Sequence, residues 1–379
     1  MNLAREQKVV ITGIGMVTPL GNNPREVLRR IQAGESAAAP PTGFDAAGFG
    51  CPMCAEVSGF EAQRYVSEIK MLRLMNRDAQ LAVAAARLAL ADAGLSPKTV
   101  YHPEEVALFG ATGMAGLPLR EVLPLVKVST GVDGGFDPTR FGQAGLKAVS
   151  PLLSFKILSN MPFCFVSINE NIQGFNALYS PWEGDGAQAI EAGIRALRAG
   201  DARCALAGGC DVKTHELAFA TLQQLGLFSS WAETGNGTLP GEGAAFLVLE
   251  TEAAAAARGS HIYGYLTGFS LQPHGTGERL SQTRERVLSK LNTRSVNTLL
   301  SSAEGDTAAD EQESRILESA AVTAKAIVCP KKYVGNLFAA AALLQVALGA
   351  GLLHEGATSV LANCFGHGNT QAAFVLQKS

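Results

Sequence analysis

Charged side chains are scarce in this chain. Asp, Glu, Lys and Arg make up 17% of its 379 residues and nearly cancel, leaving a formal net charge of −3. Such a balance offers no electrostatic footprint for nucleic acid or for an anionic membrane surface. Long apolar runs are lacking too. The most apolar stretch, Leu337 to Leu353, is rich in Ala, contains Gly349 and Gly351, and carries Gln345. It suits a buried core helix better than a membrane span. The opening Met-Asn-Leu-Ala-Arg-Glu-Gln runs straight towards a strand with no signal-peptide pattern, so a cytoplasmic location is expected. The seven cysteines are odd in number and scattered, which argues against a disulfide framework and for a reducing compartment. Cys51 and Cys54 form a lone pair with no second ligand pair beside it. They read as ordinary loop thiols, and no metal site is expected.

What is present is a globular composition, 47% apolar with 41 glycines, in a chain long enough for two similar halves or one large α/β unit. Lys8 to Ile14 is a β-branched run ending at glycine, hence a buried strand. A helix starts at Pro24 and ends near Gly34, and residues 35–65 read as loops. Asn76 to Ala93 has helical spacing with Gly94 as its C-cap. Val106 to Thr112 is a second strand. Gly184 to Ala199 is an Ala-rich helix closed by Gly200, followed by a small-residue strand at Ala205 to Gly209. Cys164, Cys204 and Cys210 are placed on strand or loop positions as packing residues. Gly241 to Glu250 is a turn and strand, Ala253 to Gly259 a connector, and Ile262 to Phe269 a fresh strand. This alternation predicts an α/β fold with mainly parallel sheets.

Several segments, in order along nearly the whole chain, resemble β-ketoacyl-carrier-protein synthases. They are Val9 to Gly21, Phe44-Asp45, Met75-Asn76-Arg77 with its Ala-rich helix, Ala207-Gly208-Gly209, Gly241-Glu242-Gly243-Ala244, and Phe365-Gly366-His367-Gly368-Asn369-Thr370. The resemblance implies the thiolase fold: two similar βα halves in a layered α-β-α-β-α sandwich, dividing at residues 1–252 and 260–379, with obligate dimerisation.

Condensation in that family needs a thiolate on a tight turn at a helix N-terminus, where the dipole favours the anion. It also needs two imidazoles to hold the malonyl thioester. The matching turn here runs from Gly174 to Gly186 and puts Glu183 where the family has Cys. Acylating a carboxylate would give an anhydride, which water destroys. The first imidazole's stretch matches Ser302-Ala303-Glu304-Gly305-Asp306-Thr307, with Asp310 and Glu313 supplying the family's Asp-x-x-Glu, so Glu304 replaces one His. The second matches Lys331 to Leu337, where Lys331 is retained and Asn336 replaces the other. A carboxylate at 304 repels a malonyl carboxylate and, when ionised, donates no hydrogen bond. No catalytic residue is therefore expected. Neither is a cofactor. His102, His215, His261, His274 and His354 match no family imidazole and read as surface or loop residues. His367 stands where the family has a second Phe near the pocket entrance.

A family member without its condensing residues resembles the chain length factor of type II polyketide synthases. The resemblance implies a heterodimer with an active ketosynthase. It also implies a growing polyketide chain in a tunnel at the interface, and an acyl carrier protein met mainly through the partner. By carry-over, tunnel or interface positions are Met114, Leu117, Leu119, Val122, Phe365 and His367. Competing expectations are a malonyl-carrier-protein decarboxylase of the loading-ketosynthase type, an acyltransferase using Ser180 or Asp185, and a non-catalytic scaffold. The short link before the closing strand at Ser359 departs from most ketosynthases and points to an unusual branch, making polyenes or a simple aromatic product.

Overall fold

The computed structural model describes residues 7–95, 100–114, 117–291 and 293–378. The extreme N-terminus, read above for a leader, and Ala115 and Gly116 lie outside them. Ten strands form the main sheet: β1 Val9–Val17, β2 Val106–Thr112, β3 Asn176–Tyr179, β4 Cys204–Val212, β5 Glu242–Thr251, β6 Gly264–Pro273, β7 Ser295–Leu300, β8 Thr323–Val328, β9 Ser359–Cys364 and β10 Thr370–Gln377. The longer helices are α1 Pro24–Gln32, α2 Arg77–Asp92, α3 Leu119–Ser129, α4 Met161–Glu170, α5 Glu183–Ala199, α6 Leu280–Lys290, α7 Thr307–Ser319 and α8 Ala341–His354.

The spatial order is β8-β7-β9-β10-β6-β1-β5-β4-β2-β3. Split between β6 and β1, it is one motif used twice. In each set of five the order from the outer edge is third, second, fourth, fifth, first. The second strand is parallel to the third and fourth, and the remaining pairs are antiparallel. Among the described strands the sets pair through Val10–Tyr265 and Ile11–Gly264. The expectation of mainly parallel sheets is therefore corrected: in the main sheet the described antiparallel pairings outnumber the parallel ones five to four. Loop length supplies one reason. Only Phe365 to Asn369 join β9 to β10, and a parallel crossover needs about a dozen residues or more.

The helices repeat the same plan. α5 follows the third strand of the first set and α8 the third strand of the second, and these two lie against each other between the half-sheets. α8 is buried on all sides, from Ala341 through Leu353 with only Leu352 partly open. Its Ala and Gly positions let sheets approach from both directions, and its lone amide, Gln345, donates to Ser301 O at 3.3 Å. Leu343, Leu348, Ile190, Ile194 and Phe374 make the central core. Each such side chain contributes about 1.5–3 kcal/mol when fully buried. α2 and α4 cover the outer face of the first half-sheet, and α6 and α7 that of the second. The result is five layers, helix-sheet-helix-sheet-helix. α2 lies so close on β1 that a Cβ at Gly15 would stand 2.0 Å from Ala85 O, so only glycine fits there.

Two local expectations are also corrected. Ala253 to Gly259 is not a bare connector, because Glu252–Ala257 is a helix. Thr251 accepts from Ala254 N as its cap, and alanines propagate a helix readily once it is capped. Cys164 lies on α4 rather than on a strand or loop, behind the Pro162 start. Among the described residues no helix is long and apolar enough to cross a membrane.

Candidate functional site

The repeat brings four chain segments to one place. Glu183 is the first residue of α5, and Asn336 precedes the Phe338–Ala340 turn that leads into α8. Glu183 thus opens one central helix, and Asn336 stands on the approach to the other. Glu304 follows β7, Lys331 follows β8, and His367 sits in the short β9–β10 link.

All the polar groups meet. Asn336 is fully buried and its Nδ2 donates to Glu183 Oε1 at 2.9 Å and to Glu304 Oε2 at 2.9 Å. Its Oδ1 accepts from Phe338 N at 2.8 Å, so one amide ties the two carboxylates to the start of α8. Lys331 Nζ stands 3.8 Å from Glu183 Oε1 and 3.8 Å from Glu304 Oε2, and donates to Phe365 O at 3.0 Å. His367 Nε2 lies 3.0 Å from Glu304 Oε1, out of line for a hydrogen bond, so Coulomb attraction carries that contact. The His367 backbone N donates to Glu183 Oε2 at 3.1 Å, and Thr238 Oγ1 donates to Glu304 Oε1 at 2.7 Å. Gly366 must be glycine here: a Cβ would stand 2.4 Å from the Glu183 carboxyl carbon.

Burial by itself would raise both carboxyls. At Glu183 it is outweighed by Lys331, His367 and the Asn336 amide, which hold the group below the usual carboxylate range. At Glu304 burial is outweighed by His367, Lys331 and Thr238, and the group is held well below that range. Burial also works against the charged form of His367, but Glu304 and Glu183 prevail and raise it above its ordinary 6.5. Two anions thus face two cations, and the cluster balances.

The Asp-x-x-Glu pair holds the loop that carries Glu304. Asp310 accepts from Glu304 N at 3.0 Å and Gly305 N at 3.2 Å, and Glu313 accepts from Ser302 N at 3.1 Å and Asn363 Nδ2 at 2.6 Å. Arg284 was not legible in the sequence. Its Nη2 donates to Gly366 O at 3.1 Å and its Nε to Gln371 at 3.2 Å, bracing the His367 link from α6. A cavity of about 350 Å³ borders the cluster, lined among others by Thr238, Arg284, Glu304, Lys331, Phe365 and His367.

The remaining sequence candidates lie elsewhere. Met114 is 58% exposed, Leu117 is buried, and Leu119 and Val122 on α3 are half-buried. They follow β2, the strand that corresponds to β7 in the repeat. Phe365 is buried with Val287, Leu288 and Leu291, and the Arg284 guanidinium stands 5.5 Å over its ring. Asp185 accepts from Trp182 N at 2.7 Å as a helix cap, and Ser180 is exposed. His215 caps the helix Glu216–Gln224, and burial pushes it down to about 4. Cys51 and Cys54 are buried beside Phe219 and Phe228, and burial pushes the Cys51 thiol up to about 11. Among the described residues no group of three or more His, Cys, Asp or Glu is placed to hold a metal ion.

The sequence model for the N-terminal domain of β-ketoacyl synthases matches residues 6–255. The chain belongs to the β-ketoacyl synthase family. Among its relatives is the tetracenomycin polyketide synthase ketoacyl synthase beta subunit of Streptomyces glaucescens, 29% identical over 367 residues, covering 89% of this chain and 84% of that one. The 3-oxoacyl-[acyl-carrier-protein] synthase 2 of Synechocystis sp. is 26% identical over 277 residues, 70% of this chain. The match to that enzyme spans 63% of its length, and the match to the corresponding Coxiella burnetii enzyme 65%. In three dimensions the ishigamide ketosynthase/chain length factor superposes with a TM-score of 0.80 at 22% identity, covering 99% of this chain and 100% of that one. A β-ketoacyl synthase from Burkholderia phymatum gives 0.79 at 20% identity, covering 98% and 100%. The fold of this ketosynthase relative is the thiolase fold.

Proposed function

We propose that this chain is the chain length factor of a type II polyketide ketosynthase, a subunit that performs no condensation and shapes the acyl tunnel of an active partner. One observation carries the reading. Where a condensing site needs a thiolate and two imidazoles, Glu183, Glu304 and Asn336 bond to one another in a closed, charge-balanced cluster. Glu183 is 1% exposed and Asn336 fully buried, so neither offers a group to a thioester. His367 is already committed to Glu304.

The surface supports a partner. The edge strand β3 has no neighbour on its outer side. Beside it an apolar cleft of about 380 Å³ is lined by Phe163, Ile168, Ala177 and Leu178. Ile168 in the cleft lining and Phe175 just before β3 are each more than half exposed, as are Met114, Val126 and Phe136 on the segment after β2. Exposed apolar side chains grouped this way mark a protein interface. The halves 1–252 and 260–379 we propose as an internal duplication of one five-stranded unit. Carrier-protein docking we assign mainly to the partner subunit, with the growing chain passing Met114, Leu117, Leu119 and Val122.

Native mass spectrometry of this chain co-expressed with a type II ketosynthase tests the proposal. A one-to-one complex is the expected result. A stable homodimer that ignores the ketosynthase overturns it, and release of carbon dioxide from malonyl-carrier protein by that homodimer would establish a decarboxylase instead.

A further inference from the structure

We infer that His367 is a proton-linked latch, its ring closing the β9–β10 link onto Glu304 when protonated and loosening it when neutral. The link is held at both ends of one side chain's reach. The His367 backbone N donates to Glu183 Oε2 at 3.1 Å, and its ring stands 3.0 Å from Glu304 Oε1. Both carboxylates lie inside the fold, 1% and 6% exposed.

The charge count around the ring decides the outcome. From α5 it faces Glu183, from the loop after β7 it faces Glu304, and from the turn after β8 it faces Lys331. The other charges packed against the link are already engaged. Arg284 of α6 donates to Gly366 O and Gln371. On α7, Asp310 is taken by two backbone amides and Lys332, Asp306 by Ala309 N, and Glu313 by Ser301, Ser302 and Asn363. With His367 charged, two carboxylates meet two cations. With it neutral, Lys331 alone faces both, and a buried negative charge is left uncompensated.

The sign of the effect follows from linkage. The folded state raises the His367 value above the ordinary 6.5 because Glu304 and Glu183 outweigh burial. Its contribution is therefore complete below about pH 6.5 and is lost as pH rises through the folded value. The carboxyls run the opposite way. Glu183 and Glu304 are held below their ordinary 4.5, so their contribution is present above that value and lost in acid. The latch is closed in mildly acidic solution and opens towards alkaline pH.

The test is an NMR titration of the full chain with 13C-labelled histidine, the His367 resonance being assigned by its loss in His367→Gln. The expected midpoint lies above about 6.5 and falls in Glu304→Gln; each unit of elevation appears as a tenfold rise in the unfolding constant between acidic and alkaline buffer. In His367→Gln that part of the rise should be absent, while the part due to buried Asp78, raised to about 7, remains. A midpoint at or below the ordinary histidine value in the unmodified chain overturns the inference. So does a midpoint that Glu304→Gln leaves in place. Should His367→Gln fail to fold, His367→Lys supplies a permanent cation, and its unfolding constant should rise less over the same buffers than that of the unmodified chain.

Discussion

At the residue scale, Glu183, Glu304 and Asn336 fill with one bonded polar cluster the place where the proposed function requires a condensing site to have been lost. Replacing a thiol and two imidazoles by apolar groups would empty a polar pocket; replacing them by two carboxylates and an amide lets the retained Lys331 find new partners. Lys331→Met should therefore be severe. Removing one member of a buried charged group costs about 3–5 kcal/mol, and urea unfolding should show a loss of that order. A loss under about 1 kcal/mol would mean the cluster does not hold the fold. Restoring the nucleophile alone should fail. Glu183→Cys puts a thiol at the N-terminus of α5 but leaves Glu304 and Asn336 in place of the imidazoles, so radiolabelled malonyl-carrier protein should yield no β-ketoacyl product. These three positions were legible because they fall inside short motifs. Arg284 and Thr238 were not, since each reaches the cluster from a segment with no motif of its own.

At the element scale the two central helices place the site. Helix N-termini gather unpaired N–H groups and favour negative charge, and α5 begins on a carboxylate while α8 begins beside an amide that binds carboxylates. The close approach of the β9–β10 link makes this geometry exacting. Gly366→Ala would drive a methyl group against Glu183, and an overpacking penalty of about 1–3 kcal/mol is expected in thermal unfolding. The turn after β2 holds in the first half the place that the Glu304 loop after β7 holds in the second, and carries Met114, open to solvent in the single chain. In the reconstituted complex Met114→Ala should lengthen the product by at least one extension unit, read by mass spectrometry of the released chain. Unchanged length would remove Met114 from the tunnel wall. Helix limits were readable from caps, as at Asn76 for α2 and Gly200 for α5. Strand direction was not, because it depends on which strands become neighbours.

At the scale of the whole molecule, the layered core is complete within one chain while the β3 edge is left bare. Phe136, Ile168 and Phe175 are 68%, 62% and 61% exposed, an arrangement suited to a subunit rather than to an isolated protein. Phe136→Asp together with Ile168→Asp should abolish the complex in native mass spectrometry while leaving the circular dichroism of the chain unchanged. Binding to the folded state alone raises apparent stability with partner concentration. The melting temperature of the unmodified chain should therefore climb as ketosynthase is added, and that of the double variant should not.

The α/β class and the approximate limits of α1, α2 and α5 could be read along the chain, since these depend on local spacing, and motifs a few residues long singled out Glu183, Glu304 and Asn336 as candidates. Only the tertiary structure decided that Glu183, Glu304, Asn336, Lys331 and His367 share one balanced cluster. It alone decided that five strands are used twice in the same order, and that His367 turns inward. Contacts between residues as far apart as Glu183 and His367 arise from packing of the central helices between two half-sheets, and no local pattern along the chain encodes them.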